Sequence, residues 1–385
     1  MDIGYFRFKD DILKTREINA MAYAFYGMNL IFFGPEDIDK DSHTVKGKYL
    51  TPDGWKRKTV PLPKIINNMR IKADKSKHEL YKYLDDNSYL LFHSFGSKEK
   101  VESLLKKNNL ITDLLIPSRI IKGLDDIISL FEDNKKILFK PLDGMKGKGI
   151  FTLEKEEDFY LYKDETNIKK FNQEDLLSLG NQINNKYIGQ KFLQSRTVKD
   201  LPFDLRVQYE KNRKGQWVKA QVYARVGLTN ELVSNIAKGG SVIRGRSFLI
   251  NNYGLEKGKM LYEKLEEQLK GFPKKFESLF DFNVNSIALD FGLDQEDFYL
   301  FEINSFPGGT FARGEIAYLR AGYTKYLVEN KLNEPIKMGT DLIKENVQLN
   351  KENEALKQRE VQLNNELKKM KNSRSWRYTS ILRKK

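Results

Sequence analysis

Between Ile137 and Ile150 the chain reads Ile-Leu-Phe-Lys-Pro-Leu-Asp-Gly-Met-Lys-Gly-Lys-Gly-Ile, an apolar strand running into a loop of three glycines and two lysines. The loop is suited to phosphate. Glycines let backbone N–H groups come close to an anion, and Lys140, Lys146 and Lys148 supply charge that a compact polyphosphate neutralises. The spacing is not that of a Walker loop, since no Gly-Lys is followed by Ser or Thr, and it does not match Gly-x-Gly-x-x-Gly. Taken alone, a glycine-rich hairpin turn with solvated lysines accounts for it about equally well.

A second feature lies far along the chain. Ser286-Ile-Ala-Leu-Asp290 and Phe298-Tyr-Leu-Phe-Glu302-Ile-Asn304 read as two adjacent strands. Residues i and i+2 of a strand share a face, so Glu302 and Asn304 point the same way, and a hairpin around residues 293–297 brings Asp290 beside them. Three side-chain oxygen ligands, completed by phosphate oxygens and water, suit magnesium held against a nucleotide. Composition supports this metal class. The chain has no cysteine and three histidines, His43, His78 and His93, so a divalent metal has to be held by oxygen, which points to magnesium or manganese. The plain alternative is the solvent face of an antiparallel strand, but the strongly apolar neighbours favour a site.

At 385 residues the chain exceeds what one core usually organises, so two or three packed lobes are expected. A hydrophobic fraction of 40% and a charged fraction of 31% suit a globular chain, and no uninterrupted apolar run is long enough to span a bilayer. Residues 1–14 carry charges throughout rather than a basic start and an apolar stretch, so no signal peptide is expected and the compartment reads as the cytosol. The opening is strand, helix, strand: residues 3–8, 11–27 and 29–33. A hairpin follows, with Thr51-Pro52-Asp53-Gly54 as its turn, and residues 64–71 then return to the sheet. Residues 98–107 show helical spacing, and strands are expected at 137–140, 150–153 and 187–193. Further strands are expected at 205–209, 217–226, 286–291 and 298–303, with one helix over 261–280.

The net charge of +14 is unevenly placed, since eight positive charges and no acid stand between Lys368 and Lys385, leaving +6 for the rest. Ahead of them Leu342, Leu349, Leu356, Leu363 and Met370 recur every seven residues, which suggests a coiled coil with Asn346, Asn353, Glu360 and Leu367 at the a positions. Buried asparagines at a tend to specify two strands, so parallel self-association is expected; the alternative is a solvated amphipathic helix folded onto the body or free.

Together these pieces resemble the ATP-grasp superfamily, and within it the spore-coat-associated YheC/YheD-like branch, over roughly residues 98–309. Lys98, Leu104-Leu105 and Ile116-Pro117-Ser118 are similar to the first nucleotide lysine and its helix; Glu99 stands where that branch commonly has an aromatic residue, so Lys100 competes for the role. Lys140 resembles the second lysine, and Asp143, Gly144, Lys146, Gly147, Lys148 and Gly149 the phosphate-covering loop. Gln190, Lys191 and Leu193 resemble the hinge that offers backbone groups to adenine, while no acid in residues 194–198 matches the ribose contact. Asp204 and Arg206 resemble the Asp-x-Arg strand, and Arg225 the strand after it. Asn235, Gly239 and Gly240 resemble the loop that closes the acceptor site, and Asp290, Glu302 and Asn304 the metal ligands.

The organisation implied is α/β (α+β). A Rossmann-like pre-ATP-grasp lobe covers residues 1–92, and an ATP-grasp domain with a hinge near 190–194 covers 93–332. A coiled-coil helix spans 341–372 and a basic aromatic tail 373–385. The resemblance implies ATP and Mg2+ (or Mn2+) as cofactors and carboxylate–amine ligation through an acylphosphate. In that chemistry Arg206 stabilises the transferring group, Arg225 with Gly239 and Gly240 holds the carboxylate, and Asp204 and Asn235 lie on the acceptor side. For both arginines the plain alternative is an ion pair with Asp204 or a neighbouring acid. A catalytically weak ATP-binding scaffold and an ATP-grasp kinase are the competing functions. The tail resembles tails of bacterial surface-polysaccharide glycosyltransferases, which places the acceptor, a carboxylate with an amine, in a surface-glycan pathway. Trp376, Tyr378, Ile381 and Leu382 among arginines suit an anionic membrane at its inner face, and a plain disordered basic tail accounts for them at least as well; a homodimer through the coil is the expected protein partner, and nucleic acid, which charge alone does not separate from other polyanions, is the less expected one.

Overall fold

The computed structural model describes residues 1–8, 14–68, 75–142, 149–227, 240–308, 311–334 and 339–372. Three sheets follow one another along the chain, each with its own apolar core.

The first sheet contains β1 (Asp2–Phe6), β2 (Asn29–Phe33), β3 (Ile38–Asp39), β4 (Thr44–Thr51), β5 (Gly54–Pro61), β6 (Ile65–Asn67) and β7 (Tyr89–Leu90), with α1 (Lys14–Phe25) and α2 (Lys75–Asn87) between them. Its order is β3-β4-β2-β1-β6-β7, with β5 paired to β4, and β2, β1, β6 and β7 run parallel. Parallel strands are normally covered on both faces. Here Ile3, Leu30 and Phe32 enter one core while Phe6, Ile31 and Phe33 enter the other. The expected hairpin turns at Pro52-Asp53, with Thr51 opposite Gly54. Residues 69–71, read from the sequence as part of the returning strand, lie outside the described residues.

The second sheet has the order β12-β11-β10-β9-β13-β8 and is antiparallel throughout. Its strands are β8 (Ser118–Ile120), β9 (Lys136–Pro141), β10 (Phe151–Lys155), β11 (Tyr160–Lys163), β12 (Ile168–Phe171) and β13 (Tyr187–Lys191). Helices α4 (Leu124–Leu130) and α5 (Gln173–Ile183) cover one face, where Ile137, Phe139, Phe151 and Leu153 are buried; Phe139 and Phe151 stack at 4.8 Å. Helix α3 (Lys98–Lys107), capped by Ser97, precedes this sheet and packs Val101 and Leu105 into the core of the third.

That third sheet has the order β16-β15-β14-β17-β18: β14 (Phe203–Lys211), β15 (Trp217–Val226), β16 (Ser241–Arg244), β17 (Ser286–Asp294) and β18 (Asp297–Asn304). Phe203, Leu205 and Val207 alternate onto the face covered by α6 (Gly245–Tyr253), α7 (Leu255–Gln268) and α8 (Phe272–Glu277). The single helix expected over 261–280 is interrupted, because Gly271 adopts φ 72° and Pro273 lies in the first turn of α8. Helix α9 (Arg313–Lys331) then returns to the first sheet, burying Ala321, Tyr323, Leu327 and Val328 against α1, with Tyr23 Oη 3.0 Å from Thr324 Oγ1. The chain continues into α10 (Gly339–Asn372), and the tail from residue 373 lies outside the described residues. No helix among the described residues is long and apolar enough to cross a membrane.

The α6–α7 corner leaves no room for a side chain at Gly258. A Cβ there would stand 2.5 Å from the Cα and N of Ile250. Gly258→Ala is therefore expected to lose about 1–3 kcal/mol, read as a lower urea midpoint at unchanged slope.

Candidate active site

One face of the third sheet meets its helices and carries the core; the other carries charge. Cross-strand neighbours share a face, and the register sets Arg206 opposite Asp290, Asp290 opposite Glu302, and Asp204 opposite Arg225. Arg206 donates from Nε and Nη2 to the two carboxylate oxygens of Asp290, each at 2.6 Å. Arg225 donates to Asp204 at 2.5 Å and stands 2.9 Å from Asp290, and Asn304 Nδ2 donates to Asp290 at 3.2 Å. Burial disfavours the charge of both arginines, but the field and hydrogen bonds of the neighbouring acids outweigh it and hold both pKa values above the ordinary range. The ion pairs weighed as the plain alternative for Arg206 and Arg225 are thus present, within the cluster that also contains Asp290, Glu302 and Asn304.

Lysines approach from the second sheet and from α3. Lys140 lies opposite Ile188 on β13, on the face of β9 turned away from the core, and Gln190, opposite Leu138, shares that face. Lys98, at the start of α3, places Nζ 3.0 Å from Glu302 Oε2, so of the two candidate lysines Lys98 is the one joined to the acidic cluster. Lys100 lies against Gly96. Burial and then the field of Lys98 push the Lys140 pKa down, while Glu102, Glu302 and Glu99 oppose the shift. Two ammonium groups thus stand near each other among Glu99, Glu102 and Glu302, and a polyanion between the lysines would offset their mutual repulsion.

The hinge residues carry an ion pair and an orphaned acceptor. Lys191 makes a 2.9 Å ion pair with Asp294, which raises its pKa. Gln190 is buried, and its Oε1 has no hydrogen-bond partner in the structure. A buried acceptor without a donor is unfavourable, and a ligand amine meeting it would remove the penalty. Leu193 is buried beside it, and Ser195 pins the turn by donating to Phe203 O at 2.6 Å and accepting from Leu293 N at 3.1 Å.

Gly149 adopts φ 75° as the chain re-enters β10, a left-handed conformation that suits glycine, and Gly240 is half-buried just ahead of β16. Asp143, Gly144, Lys146, Gly147, Lys148, Asn235 and Gly239 lie outside the described residues. A buried network absent from the sequence reading continues the charged face. Glu210 accepts from Gln208 at 2.7 Å, Ser286 at 2.8 Å and Arg320 Nη2 at 2.7 Å, and Arg320 also donates to Pro307 O at 2.8 Å. Its sequence signal is the polar alternation Asp204, Arg206, Gln208, Glu210, which extends past the Asp-x-Arg motif.

Among the described residues no three His, Asp or Glu side chains form a ready metal cage. The donors on β17 and β18 are two carboxylates and an amide, a hard-oxygen set that fits magnesium completed by outside oxygens. Asp290 Oδ2 already meets Arg206, Arg225 and Asn304, whereas Oδ1 accepts from Arg206 Nε.

Lys98 of α3 and Lys140 of the second antiparallel sheet, near an arginine–carboxylate cluster on a third antiparallel sheet, are the arrangement of the ATP-grasp class. The family model described as YheC/D-like ATP-grasp matches residues 88–329, and the chain belongs to that family. Its similar proteins include the endospore coat-associated protein YheD of Bacillus subtilis (strain 168), 25% identical over 329 residues, 79% of this chain and 71% of YheD. Endospore coat-associated protein YheC of the same strain is 22% identical over 233 residues, 57% of this chain and 64% of YheC. Among solved structures, a Chryseobacterium gregarium RiPP-associated ATP-grasp ligase, in complex with ADP and a leader and core peptide, superposes with TM-score 0.50 at 12% identity. That superposition covers 87% of this chain and 98% of the ligase. D-alanyl-alanine synthetase A from Vibrio cholerae O1 gives 0.48 at 12% identity, over 85% and 96%. The fold is the ATP-grasp fold expected from the sequence.

Ser195→Ala removes both hinge hydrogen bonds and leaves Leu293 N–H and Phe203 C=O to find other partners. The variant is expected to lose about 1–3 kcal/mol in urea unfolding, with faster hydrogen exchange at the Leu293 amide.

Proposed function

We propose that this chain is an ATP-dependent carboxylate–amine ligase that works through an acylphosphate. The observation that carries the reading is the Lys98–Glu302 ion pair, with Lys140 within the field of both, and Asp290, Asn304, Arg206 and Arg225 on the same sheet face as Glu302.

In this reading Lys98 and Lys140 hold the α- and β-phosphates, with residues 143–149 over them, and the adenine lies at Gln190, Lys191 and Leu193, where the unpartnered Gln190 Oε1 offers an acceptor. Asp290, Glu302 and Asn304 hold Mg2+ or Mn2+, which when bound neutralises the charge on the phosphate oxygens. Arg206, fixed by Asp290, presents its remaining N–H groups to the transferring phosphoryl group, and Arg225, fixed by Asp204, presents its own to the acceptor carboxylate. Asp204, Asn235, Gly239 and Gly240 line the acceptor side. Little proton transfer is asked of side chains because phosphorylation creates the leaving group, which suits a chain with three histidines and no cysteine.

The finer reading places the acceptor in a bacterial surface glycan or its precursor, as a uronic acid carboxylate joined to an amino acid, with the chain in the cytoplasm and its tail at the inner face of the membrane. The relatives' description as coat-associated and the long exposed helix α10 favour a second reading, an ATP-binding assembly scaffold. Substrate-stimulated ADP formation separates the two: nucleotide binding without it, across mixtures of sugar acids and amino acids, selects the scaffold.

Lys140→Ala and Glu302→Gln are each expected to lower ATP-dependent ADP release by about 10²–10³-fold with unchanged near-UV circular dichroism. Turnover retained by either would remove the mechanism.

The lowered pKa of Lys140 also gives a pH signature. Losing its proton removes a cation from the phosphate site, so ADP affinity should begin to fall below the pH at which a lysine with the ordinary value of 10.5 would lose its charge. Phosphate raises the same pKa, so binding takes up protons in that window. Calorimetry in buffers of different ionisation enthalpy measures the uptake, and Lys140→Arg should abolish it and move the alkaline limb upward.

A further inference from the structure

Helix α10 spans Gly339–Asn372, about 50 Å at 1.5 Å per residue, and all of its described side chains are exposed. Leu349, Leu356 and Leu363 recur at intervals of seven and are 50%, 66% and 49% exposed. Helices in proteins owe most of their stability to a packed apolar face, and a leucine seam of this length in water is an interface without its partner.

We infer that α10 is one strand of a parallel two-stranded coiled coil whose other strand is α10 of a second copy of this chain. Three features of the heptad select a second copy in this direction. The seam repeats every 3.5 residues, the period at which two straight helices supercoil to keep contact. With the leucines at d, Asn353 lies at a. In a parallel, in-register pair it faces its own copy and each amide finds a partner, whereas in an antiparallel pair it faces leucine and stays unpaired. The g position Glu352 and the following e position Lys357 have opposite charges, so a parallel pair gains the Glu352–Lys357 attraction twice, once on each flank.

Glu360, also at a, weakens the seam further, so the coil is a reversible one. The parallel direction places both ATP-grasp bodies at one end and both C-termini of α10 at the other. Lys368 and Lys369 of both copies then stand together near that far end of the coil.

Sedimentation equilibrium on the full chain tests the association. The mass is expected to rise with concentration from 45.0 kDa toward twice that value and to stay at 45.0 kDa in the Leu356→Glu/Leu363→Glu double variant. A chain that remains monomeric at the highest attainable concentration overturns the inference, as does a dimer that survives the double substitution. Direction is read separately. Because the chain has no cysteine, Asn353→Cys gives a single thiol, and mild oxidation should produce a covalent dimer on a non-reducing gel. A dimer by mass that fails to cross-link through position 353 overturns the parallel register. Neither readout depends on catalysis, so a failed ligase assay leaves this test intact.

Discussion

Asp290 lies within a strand whose nine residues are all buried. An ionised carboxylate in that position is tolerable only if its charge is met in place, and Arg206 meets it with two parallel hydrogen bonds while Arg225 meets it from the next strand. The arginines are in turn tolerable because Asp204 and Asp290 meet them. The charged face of the third sheet is therefore a closed set: removing one member leaves another buried and uncompensated. This set holds the face open toward Lys98 and Lys140, while the apolar side chains of the same strands bind the sheet to its helices.

The same logic runs further down the sheet. Glu210, Gln208, Ser286 and Arg320 form a second polar cluster that is buried rather than open. Arg320 belongs to α9, and through Pro307 O it fixes the chain three residues beyond Asn304. The loop leaving the proposed metal strand is thus tied to the helix that covers the first sheet. A shift of α9 relative to the third sheet would be felt at Asn304 before it reached Lys140 or the hinge.

What the sequence revealed was mostly local. The helical spacing of residues 98–107, the Thr51–Gly54 turn and the strand pattern of residues 217–226 each carry their own structural signal, and α3, the β4–β5 hairpin and β15 lie where those signals put them. The two carboxylates and Asn304 could be set on one face because a period of two is enough for that step. Pairings between distant segments were not readable. That Arg206 faces Asp290 depends on β14 lying beside β17, 84 residues apart, and nothing in either segment states it. Gly271 and Pro273 are the residues that interrupt the helix expected over 261–280. Lys98 separated from Lys100 only once the position of Glu302 was known.

Helix α9 has a further consequence for how such proteins can change. It comes after the third sheet in the chain, yet it supplies Ala321, Tyr323, Leu327 and Val328 to the core of the first sheet and Arg320 to the buried acid of the third. The first lobe is therefore not a detachable module, although its strands are contiguous from the start of the chain. Recombination that replaced residues 1–92 alone would bring in an α1 shaped for a different partner helix and leave Tyr23 without Thr324. A viable exchange of first lobes between relatives would have to carry two separate segments together, which makes the pairing of α1 with α9 a place to look for compensating substitutions across the family.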